Sequence, residues 1–338
     1  MAAKKYHIEI LTTRINNLWR HGFGPIADAE RMRDILKRRF SNVSLTVIKK
    51  ESDLNRVVQS RPDLVISGLN YVIFGKKDNE QSRVWISDLM EKSGINYAGS
   101  RRMSLETVLD KGATKEILHE KGVPTAPGFT AESGQYRSSD DIPLAFPLFI
   151  KPLHEGDGRG IDRDSIVSDY KSFTRKVESI ERDWAQPALA EKYLTGREFT
   201  AARLGCTEEG DPLVMSIELL PGEDEKGHRI LGFTEKKEDQ EETRKIPENE
   251  VLHVVASVAR KAFRALGNRD YGRIDIRMDE SGNPFVIDAN FIPGMTGGFS
   301  YFPRACRISM GWKFEEVVIR IAEAAIRRKE IPAGACRT

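Results

Sequence analysis

The chain has 338 residues, 53 of them Lys or Arg and 51 Asp or Glu, so its formal net charge is only +2 although 31% of its residues are charged. That balance leaves no basic excess for nucleic acid or an anionic membrane, and no apolar run reaches the length of a membrane span. The N-terminus lacks the apolar core of a secretory signal, and Cys206, Cys306 and Cys336 stand far apart as expected reduced thiols; a cytoplasmic protein of two or three compact lobes follows.

The N-terminal part alternates short apolar strands with amphipathic helices, the pattern of a doubly wound parallel α/β lobe. Strands are expected at Tyr6–Leu11, Ser44–Ile48, Asp63–Ile66 and Ile95–Ala98. Helices are expected at Ile26–Phe40, spaced by Ala27, Met32, Ile35 and Leu36, and at Ser82–Glu91. Ligand-facing loops of such a lobe lie at the carboxyl ends of its strands, which singles out Thr12–Pro25 and Ser67–Glu80.

A second region opens with Ser104–Lys111 and a helix over Ala113–Lys121 that Gly122 closes. A strand at Phe146–Lys151 then runs into Glu155-Gly-Asp-Gly-Arg-Gly160, followed by a helix near Asp169–Glu181 and a strand at Ala188–Tyr193. Lys151 ends its strand, and Gly156, Gly158 and Gly160 follow at alternate positions. Glycines let backbone N–H groups converge on an anion beside a fixed positive charge, so a nucleotide phosphate is the natural guest, with a plain turn as the alternative. The spacing is neither that of a P-loop nor that of a dinucleotide fingerprint. Beyond it, Glu191 and Glu198 flank a crossover at Thr195-Gly196; there they can accept hydrogen bonds from an adenine amine and ribose hydroxyls, or be ordinary surface acids.

The last region adds strands at Glu198–Leu204 and Pro212–Leu219, the charged stretch Thr234–Lys245 and helices at Glu248–Leu266 and Phe314–Arg328. Between those helices, Tyr271–Asn290 reads as two alternating strands joined at Ser281-Gly282. A two-residue loop there sets Asp275 opposite Asp288 and Arg273 opposite Asn290 on one face, leaving Ile274, Ile276, Ile287 and Ala289 on the apolar other. Two carboxylates opposed at roughly 5 Å repel by about 3 kcal/mol at an effective dielectric of roughly 20. A divalent cation turns that penalty into coordination, and carboxylate and amide oxygens suit Mg²⁺ held through nucleotide phosphates. The alternatives are a surface hairpin with two solvated acids, or a register shifted by one. The charged stretch is most simply a solvated loop, and a lysine within it can also fold over phosphates.

These pieces come in the order and spacing of the ATP-grasp superfamily, and the chain specifically resembles D-alanine-D-alanine ligases. The resemblance is carried by Tyr97-Ala-Gly-Ser100, Asp110-Lys111 through Thr114-Lys115, Gly122-Val-Pro-Thr-Ala-Pro127 and Ile150-Lys-Pro152 with Glu155-Gly156. It continues through Glu191-Lys192, Gly196, Glu198-Phe199, Gly272-Arg-Ile-Asp275 and Asp288-Ala-Asn-Phe-Ile-Pro-Gly-Met-Thr296. It implies an α/β ATP-grasp fold: residues 1–101 as a doubly wound parallel-sheet substrate lobe, and 102–189 and 190–330 as two α+β lobes that clamp ATP. By the same resemblance Lys111, Lys151 and Lys236 would hold phosphates beside Glu155 and Gly156, while Glu191, Lys192 and Leu194 would contact adenine and Glu198 the ribose. Asp275, Asp288 and Asn290 would bind two Mg²⁺ ions, for which Mn²⁺ can substitute. Arg273 and the backbone of Gly294 would face the reacting carbonyl, and Ser300 would bind the second substrate's carboxylate. Arg273, Gly294 and Lys236 are the expected catalytic groups.

In such enzymes a carboxylate attacks the γ-phosphate of ATP, and an amine then displaces phosphate from the acyl phosphate. The resemblance therefore implies an ATP-dependent carboxylate-amine ligase that joins a small carboxylic acid to an amine or amino acid and releases ADP and phosphate. It also implies a homodimer, with Thr234–Lys245 as a lid. Two loops depart from the family. Cell-wall ligases carry Gly-Gly-x-Ser-x-Glu after the first strand and His-Gly-x-x-Gly-Glu-Asp-Gly after a later one; here Thr12–Pro25 and Gly68–Lys77 contain neither. The serine and tyrosine that support the absent glutamate are matched by Asp157 and Lys237. The expectation is an acyl donor other than D-alanine, with specialised metabolism as a setting; Trp19, Arg20, His21, Tyr71 and Phe74 either contact it or pack between lobes. The alternatives are a divergent D-alanine-D-alanine ligase of peptidoglycan synthesis and a non-catalytic nucleotide-binding regulator.

Overall fold

The computed structural model describes residues 4–13, 22–74, 82–206, 210–223, 227–232 and 241–330. The N-terminal strands form a parallel sheet in the order β2 (Phe40–Val47), β1 (Lys4–Thr12), β3 (Leu64–Ser67) and β6 (Tyr97–Ala98). Side-chain alternation feeds two cores. Ile8, Ile10, Leu64 and Ile66 face one, with Met32 and Leu36 of the helix Ile26–Lys37. Leu11 and Val65 face the other, with Leu54 and Val57 of the helix Glu51–Ser60 and Met90 of the helix Ile86–Lys92. Both faces are thus covered, as a parallel sheet requires.

Two local expectations change here. The helix Glu51–Ser60 is not apparent from the sequence, because its buried apolar contribution is only Leu54 and Val57. The helix expected from Ser82 begins instead at Ile86, preceded by β5 (Arg83–Trp85), which pairs antiparallel with β4 (Tyr71–Ile73). Tyr71 lies opposite Trp85 with ring centroids 5.0 Å apart, and Arg83 covers the Tyr71 ring; such cross-strand aromatic packing favours a strand over a first helical turn.

Among the described residues the middle of the chain forms an antiparallel sheet in the order β7 (Gly128–Ala131), β10 (Ala188–Lys192), β8 (Leu148–Pro152) and β9 (Ile166–Val167). The helix Tyr170–Trp184, whose Asp169 N-cap accepts from Ser172 N at 2.7 Å, buries Phe173, Val177 and Ile180 in that sheet's core. The last sheet runs β13 (Glu242–Lys245), β12 (Pro212–Leu220), β11 (Glu198–Cys206), β14 (Tyr271–Met278) and β15 (Pro284–Asn290), all antiparallel. Helices Glu250–Ala265, Tyr301–Met310 and Phe314–Glu330 pack with it, and its core is continuous with that of the first sheet. The expected lid Thr234–Lys245 is therefore a strand over its last four residues, while residues 233–240 lie outside those described. Cys206 is in a disulfide, against the reduced thiol expected, and Cys306 is a free, buried thiol.

Two contacts hold the sheets where the site needs them. Asp270, with φ +53°, accepts from Gly99 N at 2.9 Å and from Arg328 Nε at 2.8 Å, which joins the first and last sheets. On the edge strand β15, Val286 N donates to Pro124 O at 2.9 Å and Val286 O accepts from Thr125 Oγ1 at 3.0 Å, so the segment entering β7 covers that edge. Among the described residues no helix is long and apolar enough to cross a membrane.

Candidate active site

The β14–β15 hairpin turns through Glu280–Gly282, one residue more than expected: Asp279 N donates to Asn283 O at 3.0 Å, and Gly282 takes φ +84°. The Asp279 carboxylate fixes this turn by accepting from Ser281 N and Asn283 N. Near the turn the register is accordingly shifted, with Met278 opposite Pro284 and Ile276 opposite Val286. A bulge at Ile287 then restores it, so that Asp275 does face Asp288 and Arg273 does face Asn290. The apolar face is Ile274, Ile276, Val286 and Ala289. Ile287, expected there, lines the cleft instead.

Asp275 is buried, accepting from Thr200 Oγ1 at 2.7 Å and from Arg273 Nη2 at 3.0 Å. Burial alone lowers the Arg273 pKa, but Asp275, Asp288 and Asp157 outweigh it and hold the guanidinium above its ordinary value. The mutual repulsion expected of the two aspartates is thus partly met within the chain. Asn290 Oδ1 accepts from Ile292 N at 3.0 Å, which aims its carbonyl and leaves a second lone pair. Among the described residues no three His, Cys, Asp or Glu side chains group to hold a metal. Two carboxylates and one amide oxygen fit a hard cation that keeps most of its ligands from phosphates and water, rather than a protein cage.

On the facing sheet, Lys151 is the penultimate residue of β8 and Glu191 lies on the neighbouring β10. Lys151 Nζ is 2.6 Å from Glu191 Oε2 and donates to Ile287 O at 2.9 Å. Lys115 Nζ reaches the other Glu191 oxygen at 2.5 Å, and also Thr125 Oγ1 at 3.1 Å. Burial alone raises the Glu191 pKa, yet the two lysines hold it below its ordinary value; burial, with Lys151 nearby, lowers that of Lys115 against the pull of Glu191. Lys111, on the helix Lys111–Glu120, donates to the backbone oxygen of Glu155 in the glycine loop. Glu198 at the start of β11 accepts from Arg277 Nη1 at 3.2 Å, and Arg277 also covers the Tyr193 ring.

These groups line two adjoining clefts. One, of about 750 Å³, holds Lys151, Glu191, Lys192, Leu194, Glu198 and Asp275. The other, of about 760 Å³, holds Arg273 and Asn290. Lys111, Glu155, Gly156, Asp157 and Asp288 line both. Gly294 and Ser300 line neither cleft but lie at the edge of the second: a Cβ on Gly294 would stand 2.7 Å from Ser300 Oγ, which accepts from Thr296 N at 3.0 Å, and 3.5 Å from the oxygen of Gly22, which lines that cleft. Lys236 and Lys237 lie outside the described residues, as do Trp19, Arg20 and His21. Tyr71 is a core residue and Phe74 packs against the second core, so packing accounts for both. Gly22 brings the N-terminal loop onto the end of the hairpin, where a Cβ would stand 1.7 Å from Ile292 O. Lys115, Arg277, His154 and Arg159 were not anticipated. Of these only Lys115 had a sequence signal, its position one helical turn after Lys111.

The model of the family "D-ala D-ala ligase C-terminus" matches residues 117–323, more than half of the chain. A D-alanine–D-alanine ligase of Acinetobacter baumannii is 31% identical over 245 residues, covering 71% of this chain and 75% of that protein. One of Ralstonia nicotianae is 30% identical, covering 71% and 70%. An uncharacterized protein, y4sG, of Sinorhizobium fredii is 29% identical, covering 81% and 80%. The crystal structure of the Bacillus anthracis D-alanine–D-alanine ligase complexed with ATP superposes with a TM-score of 0.72 over 97% of this chain and 99% of that one, at 20% identity. The fold is shared with it.

Proposed function

We propose, from the premise that this chain belongs to the D-ala D-ala ligase C-terminus family, that it is an ATP-dependent carboxylate-amine ligase forming an amide through an acyl phosphate. One observation carries the reading: two clefts meet at Lys111, Glu155, Gly156, Asp157 and Asp288. A nucleotide in the first and an acyl donor in the second would bring the γ-phosphate and the donor carboxylate together at that junction. The division near residues 101 and 189, into a substrate lobe and two lobes that clamp ATP, is part of the same proposal.

Within it, Lys151, Lys111 and Lys236 bind phosphate oxygens, and the backbone of the loop at Gly156 approaches them closely. Glu191, Lys192 and Leu194 hold the base, and Glu198, steadied by Arg277, accepts from the ribose hydroxyls. Asp275, Asp288 and Asn290 would hold Mg²⁺, which when bound neutralises charge on the transferring phosphoryl group. Arg273 and Gly294 N–H donate to the carbonyl oxygen as it gains charge, a role worth about 3 kcal/mol for a single donor. Arg273 turns from Asp275 to do so. Ser300 orients the acceptor.

The acyl donor is proposed to be an acid other than D-alanine. Residues 12–25 contain no Asp or Glu, and among the described residues the first lobe contributes Gly22 and Asn70 to the second cleft. Neither offers a carboxylate to an ammonium. A screen of phosphate release with ATP and Mg²⁺ over carboxylic acids paired with amino acids tests the reading: one pair should stimulate release and yield the matching amide. Release that no pair stimulates would overturn it.

A further inference from the structure

Glu191 is engaged on both sides. Lys115 holds Oε1 at 2.5 Å and Lys151 holds Oε2 at 2.6 Å, with all three side chains largely buried. A buried carboxylate with one cationic partner would be stranded if that partner left, at a cost well beyond that of a surface pair. With two partners, one is able to leave.

Their surroundings differ. Lys115 is also fixed by Thr125 Oγ1 at 3.1 Å and by Ala126 O. It lines not the large cleft but a smaller space of about 260 Å³, which shares Lys111, Glu191 and Asp288 with that cleft and adds Thr114, Leu118 and Leu189. Lys151 lines the large cleft itself, beside Lys111, Asp275 and Asp288.

We propose that Glu191 is a shared counter-ion with a division of labour: Lys115 keeps one oxygen permanently, while Lys151 exchanges the other for nucleotide phosphates, freeing it to accept from an exocyclic amine of the base. This rests on the nucleotide-binding reading above and adds a coupling to it. Base recognition by Glu191 is available only when phosphates have drawn Lys151 away, so the two ends of the nucleotide bind cooperatively. A nucleoside without phosphates leaves Glu191 closed.

The test is calorimetry on the full chain with Mg²⁺, using ATP, inosine triphosphate, adenosine and inosine as probes. Wild type should prefer ATP to inosine triphosphate, yet show no preference between the two nucleosides. Lys115→Met should weaken ATP by roughly tenfold or more, because Lys151 must then stay with the buried carboxylate. The double variant Lys115→Met/Glu191→Gln should bind within a few-fold of Glu191→Gln alone. Thermal unfolding without nucleotide separates a packing role: a Lys115→Met protein with lower Tm but wild-type ATP affinity overturns the proposal. Equal weakening by Lys115→Met in both backgrounds overturns it too, as does wild-type discrimination between nucleosides. Wild type that takes up no nucleotide at all overturns the nucleotide reading itself.

Discussion

The Lys151 ammonium donates to the carbonyl oxygen of Ile287 at 2.9 Å, and Ile287 is the bulge residue of β15. A bulge leaves its backbone outside the ladder, so the lysine at the end of one sheet takes up an acceptor on the edge strand of another. The cation proposed for phosphates is thereby anchored to the β15 residue that precedes the carboxylate proposed for the metal.

Deletion of Ile287 should leave Asp288 opposite Asp275 and keep the Mg²⁺ dependence of nucleotide binding, because Val286 already pairs with Ile276 and the ladder then runs straight on to Asp288; it removes the carbonyl that accepts from Lys151 and should weaken that binding. Deleting Ser281 from the turn should be tolerated, since the bulge lies between the turn and Asp288. Calorimetric titration of both deletions, with Mg²⁺ and with chelator, checks this; loss of the Mg²⁺ dependence in the Ile287 deletion would count against the pairing of Asp288 with Asp275 as the source of the metal site.

Thr200 Oγ1 donates to Asp275 Oδ1 at 2.7 Å in a fully buried position. Thr200→Val keeps the volume and removes the donor, which should cost about 1–3 kcal/mol in denaturant unfolding. Nucleotide binding should weaken further as the carboxylate loses its orientation. Unfolding curves and calorimetry on the same protein measure the two effects.

Glu218 clamps β13 to the sheet, accepting from Arg197 Nε and Nη2 at 2.7 and 2.8 Å and from Arg244 Nε at 2.7 Å. Burial alone raises the Glu218 pKa, but both arginines outweigh it and hold the group below its ordinary value of 4.5. A depressed folded-state pKa means stability that is full above that ordinary value and lost as pH falls through the folded one. Glu218→Gln should be less stable than wild type at neutral pH, with the gap closing below pH 4.5. A gap independent of pH in chemical unfolding would contradict the assignment.

Lys236→Ala should lower turnover on the order of a hundredfold, in keeping with loss of one charged donor to the transferring group. Steady-state kinetics with the acid and amine pair identified by the phosphate-release screen measure it. Wild-type turnover would move the phosphate-binding role to another residue of the charged stretch.

The placement of Asp275, Asp288, Arg273 and Asn290 was legible because strand alternation has period two and depends little on tertiary context. The turn was not: a three-residue connection and a compensating bulge give the same pairing as the simpler loop, and nothing in Ile287 itself announces a bulge. Lys115 and Glu191 were legible one by one, but their union needs a helix packed behind a strand more than seventy residues later in the chain. The pair β4 and β5 is short and carried by Tyr71 on Trp85, a contact that no periodicity in either segment reveals. Helix Tyr301–Met310 buries most of its residues, so it shows little of the polar face by which an amphipathic helix is read.

The most direct measurement is titration of ATP into the wild-type chain and Asp288→Asn, each with Mg²⁺ and with chelator. Uptake by wild type that requires Mg²⁺ and falls by roughly tenfold or more in Asp288→Asn is the predicted result. Uptake indifferent to both the cation and the Asp288 substitution, or no uptake at all, would contradict a metal-nucleotide site on the paired strands.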